Sequence, residues 1–469
     1  MRNFLQLVVK VVLLIGCLFY SPEANAATIN AASCSRTDVV TAMGQAADGT
    51  STTIGDTVII PACTTTAWAS PIVVTKRITI QGQGTTAGSS LTSLGTNQAF
   101  VIKLTTDGPV RITAIAMARS SWGSSDTMVE IIGSNHNGVG TYMSKARVDH
   151  CKFTNGGRQI TVTGRVEGVL DHNTHINANI AVGFAGDNTL SWGRPIVAGS
   201  ANSMFIEDNT FVVDNNRLIG GGGNANNEQI YHQEGARSVI RHNTFNFTQT
   251  NDVTAVIDTH GNDFSYYDGT STSFRGNPLI ELYKNTVTST GNWFYWLHLR
   301  GGSVLSHDNT ITVATGSPTY IKLHEYETTC CTPARSIWPA QDQVFNSFFW
   351  NETLNGNAVT AGDFEYYNAA TQPLNVQDRD YFLHAPQASG GKECFVTPGE
   401  TSNCANKGRA GGSTAPPTTG DTGTMIFVAS GANAYYPYTP YVYPHPLVNG
   451  TSGSLDISPP SIPTNLRVQ

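Results

Sequence analysis

The sequence predicts an all-β protein, a right-handed parallel β-helix (solenoid) with a short N-terminal capping helix. Three observations favour this fold. Charged residues make up only 13% of the 469 residues and glycine is abundant, with 46 copies. No long segment has the apolar spacing of a helix. A short asparagine motif recurs along the middle of the chain, which is the usual signature of a solenoid.

The repeated motif is an Asn followed by Thr and an apolar residue, with polar or charged residues before it. Its key positions are Cys151, Asn173, Asn209, Asn243, Asn285, Asn309 and, more weakly, Asn351. They are separated by 22, 36, 34, 42, 24 and 42 residues. The shortest steps fit one coil, and the longer steps indicate inserted loops. Asparagine suits each turn because it tolerates left-handed backbone and its amide can bond to the next asparagine in the stack. An antiparallel β-sandwich with Asx turns is the alternative.

Residues 1–26 have the pattern of a signal peptide. The apolar stretch Val11–Tyr20 follows a basic start and precedes Ala24-Asn25-Ala26. This stretch is too short to cross a bilayer, which takes about 20 apolar residues. We therefore predict a secreted or periplasmic protein without a transmembrane segment. Leu14-Ile15-Gly16-Cys17 offers a second interpretation, a lipoprotein anchored at Cys17.

An exported protein meets an oxidising compartment, where paired cysteines form disulfides. The pairs that we expect are Cys34 with Cys63 and Cys394 with Cys404, one near each end of the chain. Cys151 lies in an apolar strand pattern, which predicts a buried free thiol. The adjacent Cys330 and Cys331 either bridge each other or pair elsewhere. The chain has no CxxC pair, so a zinc ribbon is excluded.

The ends of the chain differ from the repeats. Residues 27–54 predict a cap, in which Thr37 or Asp38 begins a helix that covers the open end of the solenoid. The apolar residues of that helix are Val39, Val40, Met43 and Ala46. The solenoid is predicted over residues 55–390. An irregular, aromatic-rich segment over 391–448 follows and packs back on the solenoid, and 449–469 form a flexible tail.

The chain resembles the pectate-lyase-like superfamily of right-handed parallel β-helices over residues 34–350. Besides the asparagine motifs, Gly55-Asp56-Thr57-Val58-Ile59-Ile60-Pro61 and Ile78-Thr79-Ile80-Gln81-Gly82 carry the resemblance. It implies a fold and a polysaccharide partner but no single reaction, since the superfamily includes lyases, hydrolases, epimerases and adhesins. The net charge of −7 argues against non-specific nucleic-acid binding. We expect a monomer.

Strand alternation predicts a functional face, because outward positions repeat every second residue. The outward pairs are His232/Glu234, Asp258/His260, His298/Arg300 and Lys322/His324. Stacked about 4.8 Å apart, they would form two adjacent columns on one sheet. Polar residues are common on any solvated strand, which is the simpler explanation. A slip of one residue in the strand register would turn a pair inward.

These residue types favour a lyase that cleaves a uronate-containing polysaccharide by β-elimination. That reaction needs a base for the C5 proton and positive charge near the carboxylate. Arg300 and Lys322 are the anion partners, and as an exposed side chain Arg300 would support little of the core. His260 or His298 transfers the proton, tuned by Asp258 or Glu234. The residues expected to bind substrate are His232, His324, Arg237, Trp293 and Tyr295.

Two alternatives to the lyase remain open. A glycoside hydrolase would use Glu234 and Asp258 as its acid/base pair. A non-catalytic carbohydrate-binding protein or adhesin would use the same face without chemistry.

The residue two before each turn asparagine suggests a metal site. Asp149, Asp171 and Glu207 would stack three carboxylates, followed by Arg241. Carboxylates are the oxygen ligands that Ca²⁺ takes. The alternative is that these are turn residues that bond the local backbone. No other cofactor is expected.

Overall fold

The computed structural model describes residues 26–65, 68–83, 89–91, 98–119, 127–135, 138–187, 191, 197–214, 228–248, 253–260, 277–290, 293–314, 320–324, 344, 346–367, 375, 377–378, 380–387, 435 and 437–449. Over these residues the chain is a right-handed parallel β-helix, as the sequence predicts. Its helix is α1 (Arg36–Gln45), and a short 3-10 helix spans Ala361–Asp363.

In chain order the strands are β1 (Thr28–Asn30), β2 (Thr57–Ile60), β3 (Cys63–Thr65), β4 (Ile72–Val74), β5 (Thr79–Gly82), β6 (Ser89–Leu91), β7 (Phe100–Ile102), β8 (Pro109–Thr113), β9 (Ala116–Ala118), β10 (Thr127–Ile132), β11 (Met143–Asp149), β12 (Lys152–Thr154), β13 (Arg158–Thr163), β14 (Val166–Asp171), β15 (Thr174–Ile176), β16 (Ile180–Ala185) and β17 (Met204–Glu207). They continue as β18 (Thr210–Val213), β19 (Glu228–Gln233), β20 (Arg237–Arg241), β21 (Thr244–Phe247), β22 (Val253–His260), β23 (Asn277–Tyr283), β24 (Thr286–Ser289), β25 (Trp293–Arg300), β26 (Gly302–His307), β27 (Thr310–Val313), β28 (Ile321–His324), β29 (Ser347–Trp350), β30 (Thr353–Leu354), β31 (Asn357–Ala358), β32 (Phe364–Tyr367) and β33 (Tyr381–Phe382).

Each coil contributes one strand to each of three long sheets. Sheet A has the order β1-β2-β5-β8-β11-β14-β17-β20-β23-β26-β29-β33, and sheet B has the order β3-β6-β9-β12-β15-β18-β21-β24-β27-β30-β31. Sheet C has the order β4-β7-β10-β13-β16-β19-β22-β25-β28-β32. The pairing is parallel, except that β31 folds back antiparallel on β30. Equivalent residues of successive coils therefore stack along the solenoid axis.

The core is a set of stacks, because the same position in each coil faces inward. On sheet B, Phe153, His175, Phe211 and Phe245 stack with ring centroids 5.1, 4.8 and 4.5 Å apart. Burying each such ring contributes about 1.5–3 kcal/mol. His175 fits this apolar stack because burial lowers the pKa of its imidazole to about 3, so the ring stays neutral.

The repeated asparagines form a ladder at the corner between sheets A and B. The Oδ1 atoms of Asn173, Asn209, Asn243, Asn285 and Asn309 each accept the backbone N–H one coil earlier, over 2.8 to 3.1 Å. The left-handed residue is the one before each asparagine, for example His172 with φ 54°. The predicted amide bonding between stacked asparagines is thus confirmed, whereas the predicted left-handed backbone at the asparagine itself is wrong. At the last rung the prediction is off by one, because Glu352 takes the ladder position and Asn351 is left-handed.

The N-terminal helix packs at the start of sheet A against β1 and β2. It buries Val39 and Met43 but leaves Val40 exposed. Its N-cap is Ser35, whose hydroxyl accepts the N–H of Asp38, so the predicted caps at Thr37 or Asp38 are wrong. At the other end Lys76 Nζ donates to the carbonyls of the last turn. Within the predicted cap, residues 28–30 already form β1 of the solenoid.

The predicted disulfide between Cys34 and Cys63 is confirmed, with Cα atoms 6.4 Å apart. Cys151 is a buried free cysteine. The other cysteines named above lie outside the described residues, as do residues 1–25. Among the described helices, none is long and apolar enough to cross a membrane.

Residues 437–449, which we call the C-terminal strap, lie on the outer face of sheet A. Tyr441, Leu447 and Val448 pack on a small apolar cluster of Val169, Phe205, Val239 and Tyr283. Arg241 donates to the carbonyls of Tyr441 and Val442 over 2.7 and 2.9 Å. The strap therefore covers part of the outer face of sheet A. The predicted catalytic residues Asp258, His298 and Lys322 lie on sheet C instead.

Candidate functional site

The outer face of sheet C carries a column of polar side chains that the parallel register stacks coil by coil. Asp258 pairs with His298, His298 with Lys322, and Lys322 with Glu365. One position further along, His260 pairs with Arg300. The side chains of His260, His324 and Trp293 lie outside the described residues, and only their backbone positions in β22, β28 and β25 are known.

One strand of the predicted face is out of register by one residue. Tyr231 is the partner of Asp258, whereas His232 pairs with Thr259 on the inner side of the sheet. His232 stacks on Phe184 with centroids 4.7 Å apart, and its Nε2 lies 2.7 Å from Ser238 Oγ. Burial lowers the pKa of His232 to about 3. The predicted role of His232 in substrate binding is therefore wrong, because the ring is a neutral part of the core.

Glu234 and Arg237 also lie away from this face. Glu234 follows β19 at the corner, with left-handed backbone (φ 58°) and a buried side chain. Arg237 begins β20 of sheet A and donates from Nε to Ser191 Oγ over 3.0 Å. Neither residue is placed in the column with Asp258. The predicted acid/base pair of Glu234 and Asp258 is therefore not formed on one sheet face.

Arg300 and Asp258 form the centre of the sheet C site. Arg300 donates from Nε to Asp258 Oδ1 over 3.0 Å and from Nη2 to Oδ2. His298 lies beside them, with Nδ1 3.7 Å from Asp258 Oδ1. The Asp258 side chain is fully buried, while those of His298 and Arg300 are 10% and 13% exposed. A buried carboxylate thus anchors two groups that reach the surface.

Glu228 belongs to this site although the sequence did not indicate it. Its side chain is buried beside Asp258, and burial together with the Asp258 charge raises the pKa of Glu228 well above its usual value. Alternation hides it, because Glu228 pairs with Ala255, three residues from Asp258. The neighbouring strand β25 shows an irregularity in its hydrogen bonding. The N–H groups of Trp296 and Leu297 both donate to one carbonyl, that of Tyr320.

Lys322, Tyr295 and Glu365 form a second polar cluster at the C-terminal side of the column. Lys322 Nζ donates to the Tyr295 hydroxyl over 3.1 Å and lies 3.3 Å from Glu365 Oε1. The Tyr295 hydroxyl donates to Glu365 Oε2 over 3.0 Å. Burial raises the pKa of Tyr295. Burial acts to lower the pKa of Lys322, but Tyr295 and Glu365 outweigh it, so the ammonium remains charged.

The column predicted to hold calcium lies on sheet A. Asp149, Asp171 and Glu207 occupy successive register positions there. Each carboxylate is bonded by a guanidinium; the donors are Arg111 to Asp149, Arg147 to Asp171 and Arg241 to Glu207. The strap adds the N–H of His445, which donates to Glu207 over 2.8 Å. These oxygens already have cationic partners, so the column does not fit a Ca²⁺ site.

No protein-family model and no curated protein matches the chain. Among solved structures, the catalytic unit of a thermostable GH87 α-1,3-glucanase from Streptomyces thermodiastaticus strain HF3-3 is similar with a TM-score of 0.37 and 12% identity, over 74% of this chain and 68% of that chain. A mannuronic acid-specific polysaccharide family 6 lyase from human gut microbiota is similar with a TM-score of 0.28 and 12% identity, over 73% of this chain and 92% of that chain.

Proposed function

We propose that the protein is a polysaccharide lyase that cleaves a uronate-containing chain by β-elimination on the outer face of sheet C. The observation that carries the proposal is the position of His298, between Asp258 and Lys322 on consecutive strands. An imidazole suited to proton transfer thus has a carboxylate on one side and a permanent cation on the other. Arg300 adds a second cation near the surface.

The reaction gives a role to each polar group of the site. His298 takes the proton from C5 of the uronate, and the electron pair left behind forms the C4–C5 double bond as the bond from C4 to the glycosidic oxygen breaks. The departing oxygen takes a proton from the Tyr295 hydroxyl, whose phenolate Lys322 then stabilises over 3.1 Å. Arg300 and Lys322 face the substrate carboxylate, where negative charge accumulates. Asp258 positions Arg300 and His298.

The carboxyl groups favour a lyase over a glycoside hydrolase. A hydrolase needs two carboxyls separated by roughly 5–9.5 Å so that they flank the scissile bond. Here Glu228 is buried beside Asp258, and Asp258 binds Arg300 through both oxygens. The Asp258 carboxylate therefore serves to hold a cation.

The test is product formation from a uronate polymer and from its carboxyl-reduced, neutral form. A lyase produces an unsaturated sugar that absorbs in the ultraviolet, from the acidic polymer alone, and His298→Gln abolishes the signal. His384→Gln is the matched control, because His384 is half-buried beyond β33 of sheet A, away from sheet C, and bonds the carbonyl of Ala385. New reducing ends without ultraviolet absorbance would establish a hydrolase instead. Binding without either product would establish a carbohydrate-binding protein.

A further inference from the structure

Two histidines form a stacked pair on the surface, at the corner between sheets A and B. His150 and His172 are the left-handed residues of successive coils, with φ 53° and 54°. Because the two corners are equivalent, the rings are parallel, with centroids 5.0 Å apart and an interplanar angle of 3°. Their side chains are 19% and 36% exposed. This pair is separate from the sheet C site.

Each imidazole has its Nδ1 fixed by the carboxylate of the preceding residue. His150 Nδ1 lies 2.6 Å from Asp149 Oδ2, and His172 Nδ1 lies 3.0 Å from Asp171 Oδ2. Both carboxylates also accept two hydrogen bonds from arginines, so they act as acceptors towards the rings. In the neutral form of each ring, Nδ1 is therefore the protonated nitrogen and the lone pair is on Nε2. Neither Nε2 has a hydrogen-bond partner among the described residues.

We propose that His150 and His172 bind a divalent transition-metal ion through their Nε2 atoms, with water completing the coordination. A carboxylate that orients an imidazole from its far nitrogen is the usual surrounding of a metal-bound histidine. Two neutral imidazoles select Zn²⁺, Cu²⁺ or Ni²⁺ and not Ca²⁺. In the proposed site the carboxylates of Asp149 and Asp171 orient the two histidine rings.

The rings must tilt toward each other to share one ion. With metal–nitrogen bonds of about 2.0–2.1 Å, a tetrahedral ion needs the two Nε2 atoms roughly 3.4 Å apart. The present stacking distance of 5.0 Å is larger. Both rings lie at an exposed corner, so the tilt is not opposed by core packing.

His242 supplies a matched control from the same corner. It is also left-handed, with φ 56°. Its preceding residue is Arg241, its ring stacks on Tyr443 at 3.7 Å, and the next rung is Lys284. It therefore lacks both the orienting carboxylate and a second histidine.

The test uses the full chain without a histidine tag, titrated calorimetrically with Zn²⁺ and examined with Cu²⁺ by electron paramagnetic resonance. We expect one ion whose affinity falls at least tenfold in His150→Gln and in His172→Gln, and is unchanged in His242→Gln. The Cu²⁺ spectrum should show two coordinating nitrogens in the parent and one in each of the first two variants. Circular dichroism checks that the variants are folded. Absence of binding by the parent, or equal affinity in all variants, would overturn the proposal.

Discussion

Arg300 donates hydrogen bonds from Nε and Nη2 to the carboxylate of Asp258, which lies 42 residues earlier in the chain and one coil away in space. The carboxylate is fully buried, and the buried Glu228 lies next to it, with a raised pKa. Arg300 is thus part of the support of sheet C as well as a charge on its surface. This relationship changes what a substitution at Arg300 is expected to do.

Arg300→Ala should lower the free energy of unfolding by about 3–5 kcal/mol, because it leaves a buried carboxylate without its cation. The sequence alone predicts little loss, because strand alternation places Arg300 outward as an exposed side chain. Urea unfolding measures the difference. The double variant Asp258→Asn with Arg300→Met removes both charges and should recover most of the stability. An unchanged unfolding midpoint in Arg300→Ala would contradict the buried pair.

Lys322→Met should reduce the turnover of a uronate polymer by roughly 10²–10³-fold, the range seen when one group that stabilises a developing anion is removed. Stability should change less than in Arg300→Ala, since Glu365, the carboxylate partner of Lys322, is 42% exposed. Initial rates from ultraviolet absorbance measure the effect. Lys284→Met is the control, because Lys284 is at the corner between sheets A and B and not on sheet C. Equal rates in the two variants would remove Lys322 from the proposed mechanism.

Glu352 should make the stability depend on pH. Burial raises the pKa of Glu352 from 4.5 to about 7, although Ser306 and Asn309 hydrogen-bond to it. The folded state therefore holds this proton more tightly than the unfolded chain does. The resulting stabilisation is complete below pH 4.5 and is lost as the pH rises to about 7. Its size is up to about 3 kcal/mol.

The measurement for Glu352 compares unfolding free energies at about pH 5 and about pH 8. Glu352→Gln should flatten the difference, because the amide does not titrate. Glu130→Gln, on the outer face of sheet C, should leave the difference in place. A parent protein whose stability is the same at both pH values would show that Glu352 does not titrate in this range.

Removing the Cys34–Cys63 disulfide should lower the free energy of unfolding by about 3–4 kcal/mol, the loop-closure value for a separation of 29 residues. Thermal melts of Cys34→Ser with Cys63→Ser measure the loss. The fluorescence of Trp68 should report it locally, since its indole N–H donates to the Cys34 carbonyl over 3.1 Å. Cys151→Ser is the control, because Cys151 is a free thiol and forms no bridge. A parent protein whose melting is unaffected by reductant would contradict the prediction.

The sequence by itself determined the solenoid and its corners. Asn173 and Asn209 could be recognised because a ladder requires the same amide at the same place in every coil. It also placed Asp258 and His298 at matching positions, since alternation within β22 and β25 is regular there.

Only the tertiary structure decided which way the neighbouring residues face and what they bind. His232 is inside because Phe184, one coil earlier, offers a ring to stack on. Glu228 lies beside Asp258 because the alternation of inward and outward side chains is interrupted before Asp258. The sequence of a single strand does not reveal such an interruption. Asp171 and Glu207 are neutralised by arginines 24 and 34 residues away. These outcomes depend on contacts between coils. The intervening loops differ in length, so a local sequence pattern does not show which residues come into contact.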